Sequence, residues 1–94
     1  MSKVVEGAVE ALKKKIGSFD DTAKFVIEGE GAIMIDQAGV REGDEPADVT
    51  LTANRETFEG IINGDVNPTM AYMSGKLKLD GSMGTAMKLA SALS

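Results

Sequence analysis

The side chains available for chemistry are few in kind. The 94 residues contain no histidine and no cysteine, which removes the commonest general base, the thiol nucleophile and the main ligands for zinc, iron and copper. Gly81-Ser82-Met83-Gly84 looks like a nucleophile turn, but it lacks the G-x-S-x-G spacing and no imidazole exists to activate the serine. Ser82 is therefore read as a turn residue and helix cap. Arg41-Glu42-Gly43-Asp44-Glu45 gathers carboxylates without the alternating ligand positions and closing glutamate of a calcium loop, and is read as a solvated loop. The glycines form neither a dinucleotide nor a nucleotide-triphosphate cradle. No catalytic residue, cofactor or metal site is expected, and the chain is read as non-enzymatic.

What remains is methionine. Met70, Met73, Met83 and Met87 all fall in the last 25 residues, beside the single tyrosine, Tyr72. A thioether on three rotatable bonds adapts to irregular apolar surfaces, which suits both gap-filling in a core and a pocket that accepts varied apolar ligands. Residue type alone leaves both readings open.

The elements that must position these side chains follow from periodicity. Val5, Ala8, Val9, Leu12 and Ile16 share one helical face that Ser2 is placed to cap, with Lys13, Lys14 and Lys15 in the last turn and Gly17 as the stop. From Thr22 the period becomes two, with Ala23, Phe25 and Ile27 on one face. Gly29 and Gly31 then reverse the chain into Ala32-Ile33-Met34-Ile35, an antiparallel partner. The segment Asp36 to Pro46, rich in glycine and acid, reads as an exposed loop. Val49, Leu51 and Ala53 alternate with threonines as a third strand. Asn54 caps a helix whose buried face is Phe58, Ile61 and Ile62, ending at Gly64. Asn67-Pro68 launches a short helical turn through Met70, Ala71 and Met73 that Gly75 ends. Lys76 to Asp80 alternates as a strand, and Ser82 caps a last helix with Met83, Ala86, Met87, Ala90 and Leu93 on one stripe. Helices and strands do not alternate as βαβα, so the class is α+β with a mainly antiparallel sheet; the pattern leaves strand order open.

Composition sets the outer limits. Residues 1–94 are read as one domain, 43% hydrophobic and 27% charged, with little apolar material to spare at this size. A net charge of −5 opposes nucleic-acid binding. The absence of thiols and of a signal-peptide core fits a cytoplasmic protein, and no run is long enough to span a bilayer. The basic turn of the first helix, with Lys3, is a candidate for transient membrane contact. A monomer or weak homodimer is expected.

Gly64-Asp65-Val66-Asn67-Pro68-Thr69-Met70-Ala71-Tyr72-Met73-Ser74-Gly75-Lys76-Leu77-Lys78-Leu79-Asp80-Gly81-Ser82-Met83-Gly84-Thr85-Ala86-Met87-Lys88-Leu89 resembles the signature of the sterol carrier protein 2 (SCP2) family. Ala47-Asp48-Val49-Thr50-Leu51-Thr52 and the helix containing Phe58 are similar to that family too, so the resemblance runs from about residue 16 to residue 93. It implies an SCP2-like five-stranded sheet covered by helices, with an apolar tunnel for acyl chains, fatty acyl-CoA, phospholipids or sterols. A fifth strand is then expected between Gly39 and Pro46 or before Phe25. The residues at matching tunnel-lining positions are Leu51, Phe58, Ile62, Met70, Met73, Met83 and Met87. Animal members continue past the last helix into a segment ending in a peroxisomal address, whereas this sequence stops at Ser94. A bacterial-type single-domain member with an open-ended tunnel is expected, carrying fatty acyl cargo in preference to sterol. The competing expectation is an interaction or accessory module whose cleft is filled by its own side chains.

Overall fold

A computed structural model describes residues 3–93. The elements run α1 (Lys3–Lys15), β1 (Ala23–Ile27), β2 (Gly31–Asp36), β3 (Gly39–Glu42), β4 (Val49–Ala53), α2 (Arg55–Asn63), α3 (Pro68–Met73), β5 (Leu77–Gly81) and α4 (Met83–Leu93). The five strands form one sheet in the order β3-β2-β1-β4-β5. Three neighbouring pairs are antiparallel; β1 and β4 run parallel, with Phe25 opposite Leu51. The architecture is α+β, as the order of elements predicts.

Each strand has two chemically different faces. Ala23, Phe25 and Ile27 on β1, Ile33 and Ile35 on β2, and Val49, Leu51 and Ala53 on β4 are buried in one core together with the apolar faces of the helices. α1 contributes Val5, Ala8, Val9 and Leu12 and packs on β2, β3 and α2. α2 contributes Phe58 and Ile61, and the Phe58 ring meets Phe25 edge-on, with centroids 5.1 Å apart and planes at 68°, a favoured aromatic geometry. Ile62, expected on this buried face, is only half-buried at its margin. The expected cap of α1, Ser2, lies outside the described residues.

The segment read from sequence as an exposed loop contains β3. Its four residues include one buried apolar side chain, Val40, which is too short a signal for a period-two pattern. The strand is held by its turn instead. Asp36 Oδ1 accepts the Ala38 N–H (2.9 Å) and Asp36 Oδ2 pairs with Arg41 Nη1 (2.9 Å). The chain then crosses the sheet face that the helices leave bare: Gly43 lies against Met34, and Asp44 accepts from Lys24 Nζ (2.8 Å). That crossing makes β4 parallel to β1 and buries Met34 outside the main core.

Caps fix the remaining helices. Asn54 Oδ1 accepts the Thr57 N–H (2.8 Å), and Gly64 closes α2 in the left-handed region at φ 85°. Asn67 Oδ1 accepts from Thr69 (2.8 Å) and Met70 (3.2 Å), with Pro68 at the first helical position. α3 ends at Ser74, one residue before the expected Gly75.

Two variants test this frame. A Cβ on Gly81, whose φ is 112°, would run into the Asp48 carbonyl oxygen. Gly81→Ala is therefore expected to cost more than about 2 kcal/mol in denaturant unfolding, since strain and overpacking add. The Arg41 guanidinium beside Asp36 holds its carboxyl below the usual carboxylate range, helped by the Ala38 and Gly39 amides. A depressed folded-state pKa contributes stability that is present above the unfolded value and is lost as pH falls through the folded one. By carboxyl-carbon NMR, Asp36 should titrate below an ordinary aspartate, and Arg41→Gln should return it toward the ordinary value.

Candidate functional site

Between the sheet's β4–β5 side and the helices α3 and α4 lies an apolar pocket. Phe25, Leu51, Leu77 and Leu79 form its floor, and Ile61 of α2 closes one wall. Pro68, Thr69 and Tyr72 come from α3. Met83, Ala86, Met87, Leu89, Ala90 and Leu93 come from α4. No carboxylate, amine or guanidinium lines it, so it offers no charge to a ligand, and its polar side-chain atoms are the hydroxyls of Thr69 and Tyr72. The pocket encloses about 90 Å³, within about 540 Å³ of unfilled space counted out to its open mouth. The enclosed part holds no more than a few waters.

The sequence folds this way because α4 is rooted at one point. Ser82 Oγ accepts the Thr85 N–H (3.2 Å), and the Ser82 N–H donates to the Asp48 carbonyl (2.8 Å). Asp21 Oδ2 accepts from Thr85 Oγ1 (3.4 Å) and from Lys88 Nζ (3.2 Å). Ser82 is thus a cap and tether, as its sequence context suggests. From that root α4 buries Thr85, Ala86, Leu89 and Leu93, which corrects the expected stripe: Met83 and Met87 leave the buried face and stand at the rim.

The acidic loop is also accounted for. Arg41 bridges Asp36 and Glu45, and Lys24 takes Asp44. Among the described residues no group of three acidic side chains is placed to hold a metal ion, and no buried polar side-chain atom lacks a partner.

Of the seven residues expected to line a tunnel, the fold brings Leu51, Met83 and Met87 together around this pocket. Phe58 and Ile62 border a different cleft, between α1 and α2, alongside Lys3, Arg55 and Glu59. Met70 and Met73 line neither, and their side chains point outward with 63% and 75% of their surface exposed. Tyr72, Met83 and Met87 are 43%, 51% and 68% exposed. These five are all the large exposed hydrophobic side chains among the described residues, and all sit on α3 or α4. Sequence reasoning missed Leu77, Leu79, Leu89 and Ala90 as lining, although the alternation of β5 and the helical spacing of α4 carry that signal.

A five-stranded, mostly antiparallel sheet covered on one face by helices is the α+β fold of the SCP2 structures. Residues 3–94 match the SCP-2 sterol transfer family, and the chain belongs to it. It is 37% identical over 97 residues to hydroxysteroid dehydrogenase-like protein 2 of Xenopus laevis, covering 93% of this chain and 22% of that protein. The chain spans about a fifth or less of the length of the curated relatives it matches. Among solved structures it is similar to sterol carrier protein 2 like 2 of Aedes aegypti, with a TM-score of 0.79, 26% identity and 94% of both chains covered. It shares its fold with Aedes aegypti sterol carrier protein-2 in complex with palmitate, with a TM-score of 0.78, 20% identity, and 100% and 97% of the two chains covered. No described helix is long and apolar enough to cross a membrane.

The placement of the methionines has a direct consequence for stability. Met73→Lys should change unfolding free energy by no more than about 0.5 kcal/mol, as for an ordinary surface position. Leu89→Ala, at a fully buried site, should cost about 2–5 kcal/mol. Parallel thermal and urea melts of the two variants check the pair.

Proposed function

We propose that this chain binds the apolar chain of a lipid, a fatty acyl group in preference to a sterol, in the pocket under α3 and α4, and carries it without chemical conversion. The observation that carries this reading is the uncharged wall of that pocket opening between the exposed Tyr72, Met83 and Met87. Family membership supports it, as does the existence of the same fold around palmitate in the Aedes aegypti protein. The hydrocarbon lies on Leu51 and Leu79 and under Met83 and Met87, while the headgroup stays at the mouth, where Thr69 and Tyr72 supply the polar atoms.

The small enclosed volume sets a condition: the ligand must displace side chains to enter. Met83 and Met87 are suited to this, because unbranched thioethers change rotamer at little cost and their outer faces already meet solvent. Roughly 12–15 buried methylenes give about 10–12 kcal/mol gross. Opening the pocket and ordering the chain subtract several kcal/mol, which leaves micromolar affinity of about 8 kcal/mol. Apolar contact without a directed hydrogen-bond set gives loose selectivity among chains of similar length. As a tunnel-lining set we propose Leu51, Met83 and Met87, joined by Leu79 and Ala90.

Solvent extraction of the purified protein followed by mass spectrometry, and titration with a fluorescent fatty acid, test the reading. Saturable micromolar binding is expected. Ala90→Phe, which fills the half-buried mouth, should lower affinity at least about tenfold while the melting temperature changes little. Absence of both co-purified lipid and saturable binding, or full affinity in Ala90→Phe, would contradict it and favour a self-filled module.

A further inference from the structure

The sequence contains six methionines and no cysteine, so thioether sulfur is the only sulfur it offers to an oxidant. Met1 lies outside the described residues, and the fold sorts the other five into two kinds. Met34 is 1% exposed, with the crossing segment at Gly43 lying against it. Met70, Met73, Met83 and Met87 are all more than half exposed. These four divide again by what they border. Met83 and Met87, four residues apart on one side of α4, line the mouth of the apolar pocket, whereas Met70 and Met73 on α3 do not border it.

Oxidation converts a flexible apolar thioether into a polar sulfoxide. With a peroxide, the sulfur takes one oxygen as the O–O bond breaks. The sulfur gives up two electrons, and the second peroxide oxygen leaves as water carrying both protons. Methionine sulfoxide reductases reverse the change, the oxygen leaving as water while two thiols become a disulfide. At Met83 and Met87 the new oxygens would stand in a wall whose other polar side-chain atoms are the hydroxyls of Thr69 and Tyr72. A hydrocarbon laid over them strips water from strong acceptors that have few donors to replace it, and this opposes binding. The core of α4 does not depend on these sulfurs, because the residues it buries are Thr85, Ala86, Leu89 and Leu93.

We propose that Met83 and Met87 form a reversible oxidation site, at which peroxide-class oxidants place sulfoxides on the pocket wall and so release the apolar ligand without unfolding the protein. The consequence for affinity rests on the carrier reading; the selectivity of the oxidation is measured on the protein alone.

The full chain is treated with hydrogen peroxide for increasing times and quenched with catalase. Each sample is then divided among peptide mass spectrometry, thermal melting and titration with a fluorescent palmitate analogue. Met70, Met73, Met83 and Met87 should gain oxygen at least about ten times faster than the buried Met34. Affinity should fall at least about tenfold as Met83 and Met87 oxidise, with the melting temperature little changed, and methionine sulfoxide reductase should restore it. The pair Met70→Leu and Met73→Leu should lose affinity on treatment as the parent chain does. The pair Met83→Leu and Met87→Leu should keep, after treatment, whatever affinity it shows before. If that pair binds too weakly to read, the α3 pair decides, since its loss must then follow the oxidation of Met83 and Met87. Oxidation of Met34 as fast as the rest, unchanged affinity with both rim sulfurs oxidised, a loss that the α3 changes abolish, or a loss that comes only with unfolding would overturn the proposal. An untreated protein that binds no palmitate analogue fails the carrier reading itself, whereas a binding protein indifferent to oxidation fails the switch alone.

Discussion

The constraint on which the structure depends is coverage. Five strands present one apolar face, and a chain of 94 residues must roof it with four helices while leaving enough sequence for turns. The roof is uneven. α1, at 13 residues, and α2 close over the β3-β2-β1 side, where Leu12, Ile33, Ile35 and Phe58 are fully or almost fully buried. The β4–β5 side receives the six residues of α3 and the eleven of α4. Small chains bury a smaller share of their surface than large ones, and here the large apolar side chains left exposed among the described residues all stand on α3 and α4. The uncharged pocket lies beneath them.

The identity of the side chains at that place decides what the shortfall becomes. Leucine or isoleucine in the positions of Met83 and Met87 would hold fixed shapes, and a polar residue would end the apolar wall. Methionine keeps the wall apolar and movable. The rest of the local structure supplies the fixed reference against which it moves: the Asp21 contacts to Thr85 and Lys88 root α4, the Asn67 cap starts α3, and the close approach of Gly81 to Asp48 sets the edge strand. A soft rim on a rooted frame is what a site for a flexible apolar chain requires.

Much of this was legible in the sequence. The caps at Asn54, Asn67 and Ser82 and the stop at Gly64 are side-chain or backbone signals confined to a few adjacent residues, and periodicity located four of the five strands. β3, one of the two places where the family resemblance put a fifth strand, was hidden from periodicity because Val40 alone faces the core and the strand is held by Asp36 and Arg41, an ion pair with no periodic trace. The site was half legible. Leu51, Met83 and Met87 face the pocket, but helical spacing cannot say which edge of an apolar stripe turns inward. Ala86, Leu89 and Leu93 took the core side of α4 and turned the methionines to the rim. Met70 and Met73 stand outside because Pro68 and Ala71 are the residues α3 buries.

The central claim is that a fatty acyl chain lies between the sheet and α4. The most direct measurement is a set of intermolecular NOEs between carbon-13-labelled methyl groups of the protein and unlabelled palmitate. The account predicts contacts from the ligand's methylenes to the methyls of Leu51, Leu79, Met83 and Met87, and none to Ile62. Contacts gathered instead on Ile62 and Val4, in the cleft between α1 and α2, or no contacts at saturating ligand, would contradict it.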